Sequence, residues 1–296
     1  MKVGIFTAIF EPAEGWTLEK VLRYLKKIGY EAVEISAKKH VDADDVIKGR
    51  AREIRRTIDK YGIMPSSLSY HSNHIDADPR KRDEINSKFK KVVQAAQQLE
   101  ISIVNTFSGL NVPFETLYPH PVTNVPKVKE AWAEFASVFG DIVDFAAEHA
   151  VKIAVEVHFG YLVYNLRTAE RMLREIDSKS LGFNYDPTHY VWQGIDPTIP
   201  IKKFGDKIFH VHAKDVEIMA DRLAEAGLLA FSSDFRAPSE SWRFRIPGYG
   251  NLNWGRLVEA LREVGYDYVL SAEIEEPVFP KEVAVEKAYK FLKAYT

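Results

Sequence analysis

Four short stretches of the chain carry strand-like apolar runs into carboxylates or imidazoles: Val155-Glu156-Val157-His158, Asn184-Tyr185-Asp186-Pro187-Thr188-His189, His210-Val211-His212-Ala213-Lys214-Asp215 and Ala272-Glu273-Ile274-Glu275. Side chains alternate along a strand, so Ala154, Glu156 and His158 share one face. The same holds for Asn184 with Asp186, for His210 with His212 and Lys214, and for Ser271 with Glu273 and Glu275. A carboxylate inside a buried strand is costly unless it is paired or bound to a cation. Taken singly, Glu156 could pair with Lys214, and Asp186 could cap the helix that starts after Pro187. Caps and ion pairs do not account for acids on successive strands, whereas one divalent metal ion satisfies them together. Three carboxylates with one histidine favour a hard or borderline cation, Mn²⁺ or Mg²⁺ first, with Co²⁺ and Zn²⁺ also suited.

The elements that must position these groups alternate along the chain. Strands are predicted over Val3–Ile9, Ala32–Ser36, Met64–Tyr70, Ser102–Phe107, Lys152–His158, Gly182–Asp186, Ile208–Lys214 and Tyr268–Glu275. Amphipathic helices are predicted over Leu18–Ile28, Arg50–Lys60, Arg80–Leu99, Val128–His149, Thr168–Ile176, Trp254–Val264 and Lys281–Ala294, with a short, ambiguous segment after the sixth strand. Gly29, Gly62 and Gly265 read as helix C-caps leading straight into strands, so the αβ loops are short. The βα loops are not: Ser108 to Pro126 is rich in Pro and aromatics, and Val216 to Asn251 is far longer than an ordinary connection. This pattern predicts an α/β fold, a (β/α)8 barrel forming one domain over residues 1–296, with long loops after strands 4 and 7 on the face where barrels carry chemistry. The second insertion, with a helix near Met219–Leu229 followed by Trp242-Arg243-Phe244-Arg245, is expected to act as a lid.

Composition narrows the chemistry further. Net charge is −2, and the basic run Arg80-Lys81-Arg82 is broken by Asp83 and Glu84, so no positive field exists to hold nucleic acid. No apolar run reaches membrane-spanning length, and Met1-Lys2-Val3-Gly4-Ile5-Phe6 lacks the apolar core and cleavage site of a signal peptide; a cytoplasmic location is therefore expected. With no cysteine in the chain, any metal must sit on oxygen and nitrogen.

Two longer elements carry a resemblance. Asp186-Pro187-Thr188-His189-Tyr190-Val191-Trp192-Gln193-Gly194-Ile195-Asp196 and Phe209-His210-Val211-His212-Ala213-Lys214-Asp215 resemble the D-P-S-H-x-x-W-Q-G-I-D and F-H-V-H-A-K-D elements of the xylose isomerase-like TIM barrels, in their sugar phosphate isomerase/epimerase branch. The resemblance implies that Glu156, Asp186, His212 and Glu273 bind the metal and that Glu156 and Glu273 form the acid/base pair. It also implies that His71 and Asn73, matching an H-G-N element with Ser72 in place of glycine, contact substrate, as do His158 and His189. Thr188 replaces the usual serine, and Phe159 stands where many relatives carry proline, which reshapes the pocket.

Other residues admit a bland reading beside a functional one. His210 reads as a hydrogen-bonded core histidine, Glu275 as a rim acid neutralising a neighbour, and Lys214 as either a partner of Asp215 or a substrate contact. Arg243 and Arg245 suit a phosphate or carboxylate on substrate, against a solvated loop. Trp16, Trp192 and Trp242 offer sugar-stacking walls, although packing is the commoner role of such rings. The expected activity is isomerisation or epimerisation of a keto-sugar or polyol through an enediolate, acting on a small carbohydrate, with a homo-oligomer left open. The same metal and base would serve a lyase or dehydratase that eliminates a group β to the carbonyl of a keto-sugar, keto-inositol or oxidised glycoside. An AP endonuclease of the same superfamily calls for a richer histidine set and a basic face, and a sugar-binding barrel without activity calls for no stoichiometric metal.

Overall fold

In the computed structural model, which describes residues 1–111, 125–234 and 236–296, parallel strands close into a barrel. Its first seven strands are β1 (Lys2–Phe6), β2 (Ala32–Ser36), β3 (Met64–Ser69), β4 (Ile103–Phe107), β5 (Lys152–Glu156), β6 (Leu181–Tyr185) and β7 (Ile208–Ala213). An insertion then contributes β8 (Asp215–Ile218), β9 (Phe231–Asp234), β10 (Ala237–Ser239) and β11 (Trp242–Arg245), and β12 (Val269–Ala272) closes the barrel between β7 and β1. The eightfold βα barrel read from the sequence is thus the observed fold.

The local chemistry explains the layering. The helix Leu18–Ile28 starts on Thr17, whose hydroxyl accepts from the Lys20 amide, and ends on Gly29 in the left-handed region; its buried Val21, Leu22 and Leu25 face the sheet. Because helices cover the outside and side chains fill the inside, every residue of β2 and β6 is buried, polar ones included. Each polar group pointing into the barrel must therefore find a partner there.

Several predicted strands end early. β1 gives way at Thr7 to a 3₁₀ turn, β5 stops at Glu156, and β12 stops at Ala272, so His158, Glu273 and Glu275 lie on the segments just beyond the strands. The Glu273 amide still donates to the Ala213 carbonyl at 3.1 Å, which extends the β7–β12 pairing by one residue. The ambiguous stretch after β6 forms two short helices, Thr188–Val191 and Thr198–Phe204. The predicted long connection from Ser108 to Pro126 falls mostly outside the described residues.

The second insertion is an antiparallel hairpin of β8 and β11, with the helix Ala220–Ala226 and the β9–β10 pair between them. Trp242 and Phe244 on β11 are buried against Phe159, Trp192 and Val216. Asp215 anchors both ends of the insertion: its carboxylate accepts from the amides of Val216, Gly248 and Leu252 and from the Trp254 indole at 2.9 to 3.1 Å. The insertion is a packed cover on one side of the barrel mouth. Among the described residues, no helix is long and apolar enough to cross a membrane.

Candidate metal centre and active site

Register brings the acids together. Glu156 on β5 lies beside Asn184 on β6, Asn184 beside His210 on β7, and His212 on β7 beside Ser271 on β12. Two residues beyond Asn184 and Ser271, on the same face, stand Asp186 and Glu273. Ligand atoms of Glu156, Asp186, His212 and Glu273 all lie within 4.8 Å of one another. His212 Nδ1 is 3.1 Å from Glu273 Oε2 and 3.4 Å from Glu156 Oε2. Asp186 caps the turn that follows it: Oδ1 accepts from the Thr188 amide and hydroxyl at 2.8 and 2.6 Å, which leaves Oδ2 facing the cluster.

Glu156 Oε2, Asp186 Oδ2 and His212 Nδ1 are buried without a hydrogen bond of their own. Orphaned donor atoms of this kind are costly in a protein interior, and a bound cation would satisfy them. Oxygen, oxygen, nitrogen and oxygen form a donor set that fits one hard or borderline divalent ion.

A buried ammonium shares the cluster. Lys214 Nζ lies 2.7 Å from Glu273 Oε2 and 3.0 Å from both Asp186 Oδ2 and Glu275 Oε2, with the Phe244 ring 4.3 Å below it. Burial opposes its charge, but the carboxylates of Asp186, Glu273 and Glu275 hold its pKa well above the usual lysine range. His212 is likewise penalised by burial and held well above the ordinary imidazole value by Glu273, Glu34 and Glu156. Burial pushes the Glu156 and Glu273 carboxyls up, and the His212 charge more than reverses this: Glu156 lies well below its usual value, and Glu273, aided by Lys214, at about 2. Glu275 is raised to about 7 by burial, with Lys214 offsetting only part of that.

The remaining predicted residues divide. His71 Nε2 lies 3.2 Å from Glu156 Oε2, and His189 Nε2 lies 3.1 Å from Glu156 Oε1 and 3.3 Å from Asp186 Oδ2, so both imidazoles flank the acid cluster. The His158 ring packs on His189, with centroids 4.3 Å apart, and on Phe159 at 4.6 Å. The Asn73 side chain staples two loops, accepting from the Leu110 amide at 2.7 Å and donating to the Leu110 carbonyl at 2.9 Å. Gly109, at φ +83°, allows that approach, because a Cβ there would stand 2.5 Å from Asn73 Oδ1.

Arg243 and Arg245 lie away from the cluster. Alternation on β11 sends Trp242 and Phe244 inward, while Arg243 and Arg245 take the other face and pair with Glu217 at 2.8 and 2.6 Å. Arg245 additionally clamps Glu276 at 3.0 and 3.2 Å. Lys214 does not pair with Asp215, because consecutive residues at the end of a strand point to opposite sides and Asp215 is engaged by the insertion. Trp192 and Trp242 stack on each other, with centroids 4.8 Å apart, as buried packing, and Trp16 packs on Phe10 and Tyr24. His210 is a core histidine, 3.1 Å from Ser66 Oγ and 3.0 Å from Asn184 Oδ1.

Two contributors escaped the sequence reading. Glu34, in the middle of β2, is fully buried with both carboxylate oxygens 3.0 to 3.1 Å from His212 Nε2. Burial raises its pKa, but His212 and His210 outweigh that and hold it far below the usual value. Phe244 forms the wall against Lys214 and His189. A cavity of about 210 Å³, lined in part by Phe6, Glu11, Lys39 and Glu275, opens beside Glu273.

The chain is 25% identical to the uncharacterised protein YfiH of Bacillus subtilis over 93% of this chain and 94% of that one. It is 28% identical to the inosose dehydratase of Geobacillus thermodenitrificans over 56% of this chain and 55% of that one. Among solved structures, the IolI protein with a bound zinc atom superposes with TM-score 0.75 at 20% identity, covering 100% of this chain and 98% of that one. The 3-keto-D-glucoside 4-epimerase YcjR from E. coli also gives TM-score 0.75, at 17% identity with 99% of each chain covered. Enzymes named as a dehydratase and as an epimerase thus both stand among the proteins it is similar to. The xylose isomerase-like TIM barrel model matches residues 22–295, and the chain belongs to that family.

Proposed function

We propose that this protein is a divalent-metal-dependent isomerase or epimerase of a keto-sugar or related polyol, moving a proton next to a carbonyl through an enediolate. The observation that carries this reading is the convergence of Glu156, Asp186, His212 and Glu273 within 4.8 Å at the barrel mouth, with three of their donor atoms buried and unsatisfied. These four residues would hold one ion, Mn²⁺ first, which when bound polarises the substrate carbonyl and stabilises charge developing on its oxygen.

The chain's own groups supply the proton chemistry. Glu156 and Glu273 reach the centre from β5 and from just beyond β12, so one takes a proton from the carbon beside the carbonyl and the other delivers one. Their depressed pKa values keep both ionised at neutral pH, the state a base requires, so the carboxylate that delivers a proton first takes one up from solvent. His71 and His189 orient the Glu156 carboxylate from two sides, and Lys214 neutralises Glu273 and Asp186. Return of the proton to the same carbon from the opposite face inverts it, and return to the neighbouring carbon moves the carbonyl.

Similarity to an inosose dehydratase favours a second reading, in which the same base removes the proton and a β hydroxyl leaves. Incubation of metal-loaded protein with keto-sugars and keto-inositols in D₂O, followed by NMR, separates the two. Deuterium incorporation with inversion or carbonyl migration supports the isomerase, and release of water with an unsaturated product supports the dehydratase. Absence of both across the panel contradicts the proposal.

A further inference from the structure

We infer that Glu34 is a positioning residue for the metal centre: it fixes the hydrogen on His212 Nε2 and thereby leaves Nδ1 as the ligand atom. This rests on the metal reading of the cluster above.

Both oxygens of Glu34 are engaged, and every partner is a donor. Oε1 accepts from Ser69 Oγ at 2.5 Å and from Asn105 Nδ2 at 2.9 Å, and Oε2 accepts from Ser271 Oγ at 2.9 Å. His212 Nε2 approaches the two oxygens at 3.1 and 3.0 Å and the Asn184 amide at 3.0 Å; an Asn184 oxygen turned to Nε2 would accept the same hydrogen while its NH₂ donates to His210 Nδ1. Strands β3, β4, β7 and β12 thus hold one carboxylate of β2 at the barrel centre, with no exposure to solvent. An ionised carboxylate has lone pairs only, so the nitrogen facing it must carry the hydrogen. A metal-bound imidazole is neutral, with a single N–H, and its other nitrogen supplies the lone pair to the ion. In His212 that nitrogen is Nδ1, which is directed at Glu273 and Glu156 and has no hydrogen bond.

A carboxylate behind a metal-bound imidazole fixes both tautomer and ring orientation and raises ligand basicity. Glu34 is built for this rather than for packing. An apolar residue would fill its space with less desolvation, and a neutral amide could accept from Asn105 only by turning its own N–H toward His212 Nε2.

The test is Zn²⁺ and Mn²⁺ titration of the metal-free full chain and of Glu34→Gln, with ¹⁵N-histidine NMR on the zinc-loaded wild type. The inference predicts one ion per wild-type chain, a loss of affinity of about 10- to 100-fold in Glu34→Gln, and a proton on Nε2 with zinc on Nδ1. Equal affinity in a folded variant, or zinc on Nε2, overturns the inference while leaving the metal centre standing. Failure of the wild type to bind either ion removes the metal reading itself. The NMR measurement needs no variant, so it decides the matter even if Glu34→Gln does not fold.

Discussion

Lys214 Nζ sits 2.7 Å from Glu273 Oε2, inside the group of carboxylates that would hold a divalent ion. Lysine and metal therefore compete for the same negative charge. Removing the ammonium strips a buried partner from Asp186, Glu273 and Glu275, and breaking such a pair costs about 3–5 kcal/mol. Lys214→Met should lower the melting temperature of the metal-free protein. It should also enlarge the rise in melting temperature on adding Mn²⁺, because the ion then meets no like charge. Thermal scans with and without metal check this, and an unchanged metal response would mean that the two cations do not share the site.

Glu156→Gln and Glu273→Gln should each reduce turnover by at least ~100-fold, the scale of positioned acid/base catalysis, with circular dichroism unchanged. Near-normal turnover in either variant removes that residue from its assigned step.

Arg243→Ala should leave KM unchanged. Its guanidinium is paired with Glu217 on the face of β11 turned away from the acid cluster, and loss of a partly exposed pair costs at most ~1 kcal/mol. A large rise in KM would restore the substrate contact that its sequence position suggested.

His74 predicts a specific acid sensitivity. The ring is fully buried, with Nδ1 2.7 Å from Asn86 Oδ1 and Nε2 2.7 Å from Thr106 Oγ1, and burial lowers its pKa to about 4. In the unfolded chain the value returns to ~6.5, so below that pH the unfolded state binds the extra proton. This contribution to stability is fully present above pH 6.5 and is lost as pH falls toward 4. At ~1.4 kcal/mol per unit it amounts to about 3 kcal/mol. Urea unfolding at pH 7 and pH 4.5 should show a smaller pH dependence for His74→Gln than for the wild type; identical slopes would contradict a neutral buried His74.

The barrel and its acid cluster were legible because strand alternation is strict: once the ends of β5, β6, β7 and β12 are placed, Glu156, Asp186, His212 and Glu273 must face one space. Glu34 was not legible, because a lone acid in Ala-Val-Glu-Ile-Ser looks like a solvent-facing residue of an alternating strand. Only barrel closure shows that both faces of β2 are covered. Arg243 and Arg245 read from the sequence as candidates for an anionic group on substrate, and the phase of the hairpin, fixed by pairing with β8, pairs them with Glu217 on the face opposite Trp242 and Phe244. The Asn73 staple was not legible, since its loop partner Leu110 is remote in sequence.

Isothermal titration of the metal-free protein with Mn²⁺, run beside Asp186→Ala and His212→Ala, tests the central claim most directly. One ion bound per wild-type chain and none at that site in either variant is the predicted result; a wild type that takes up no divalent ion, or variants that bind as tightly as the wild type, would contradict it.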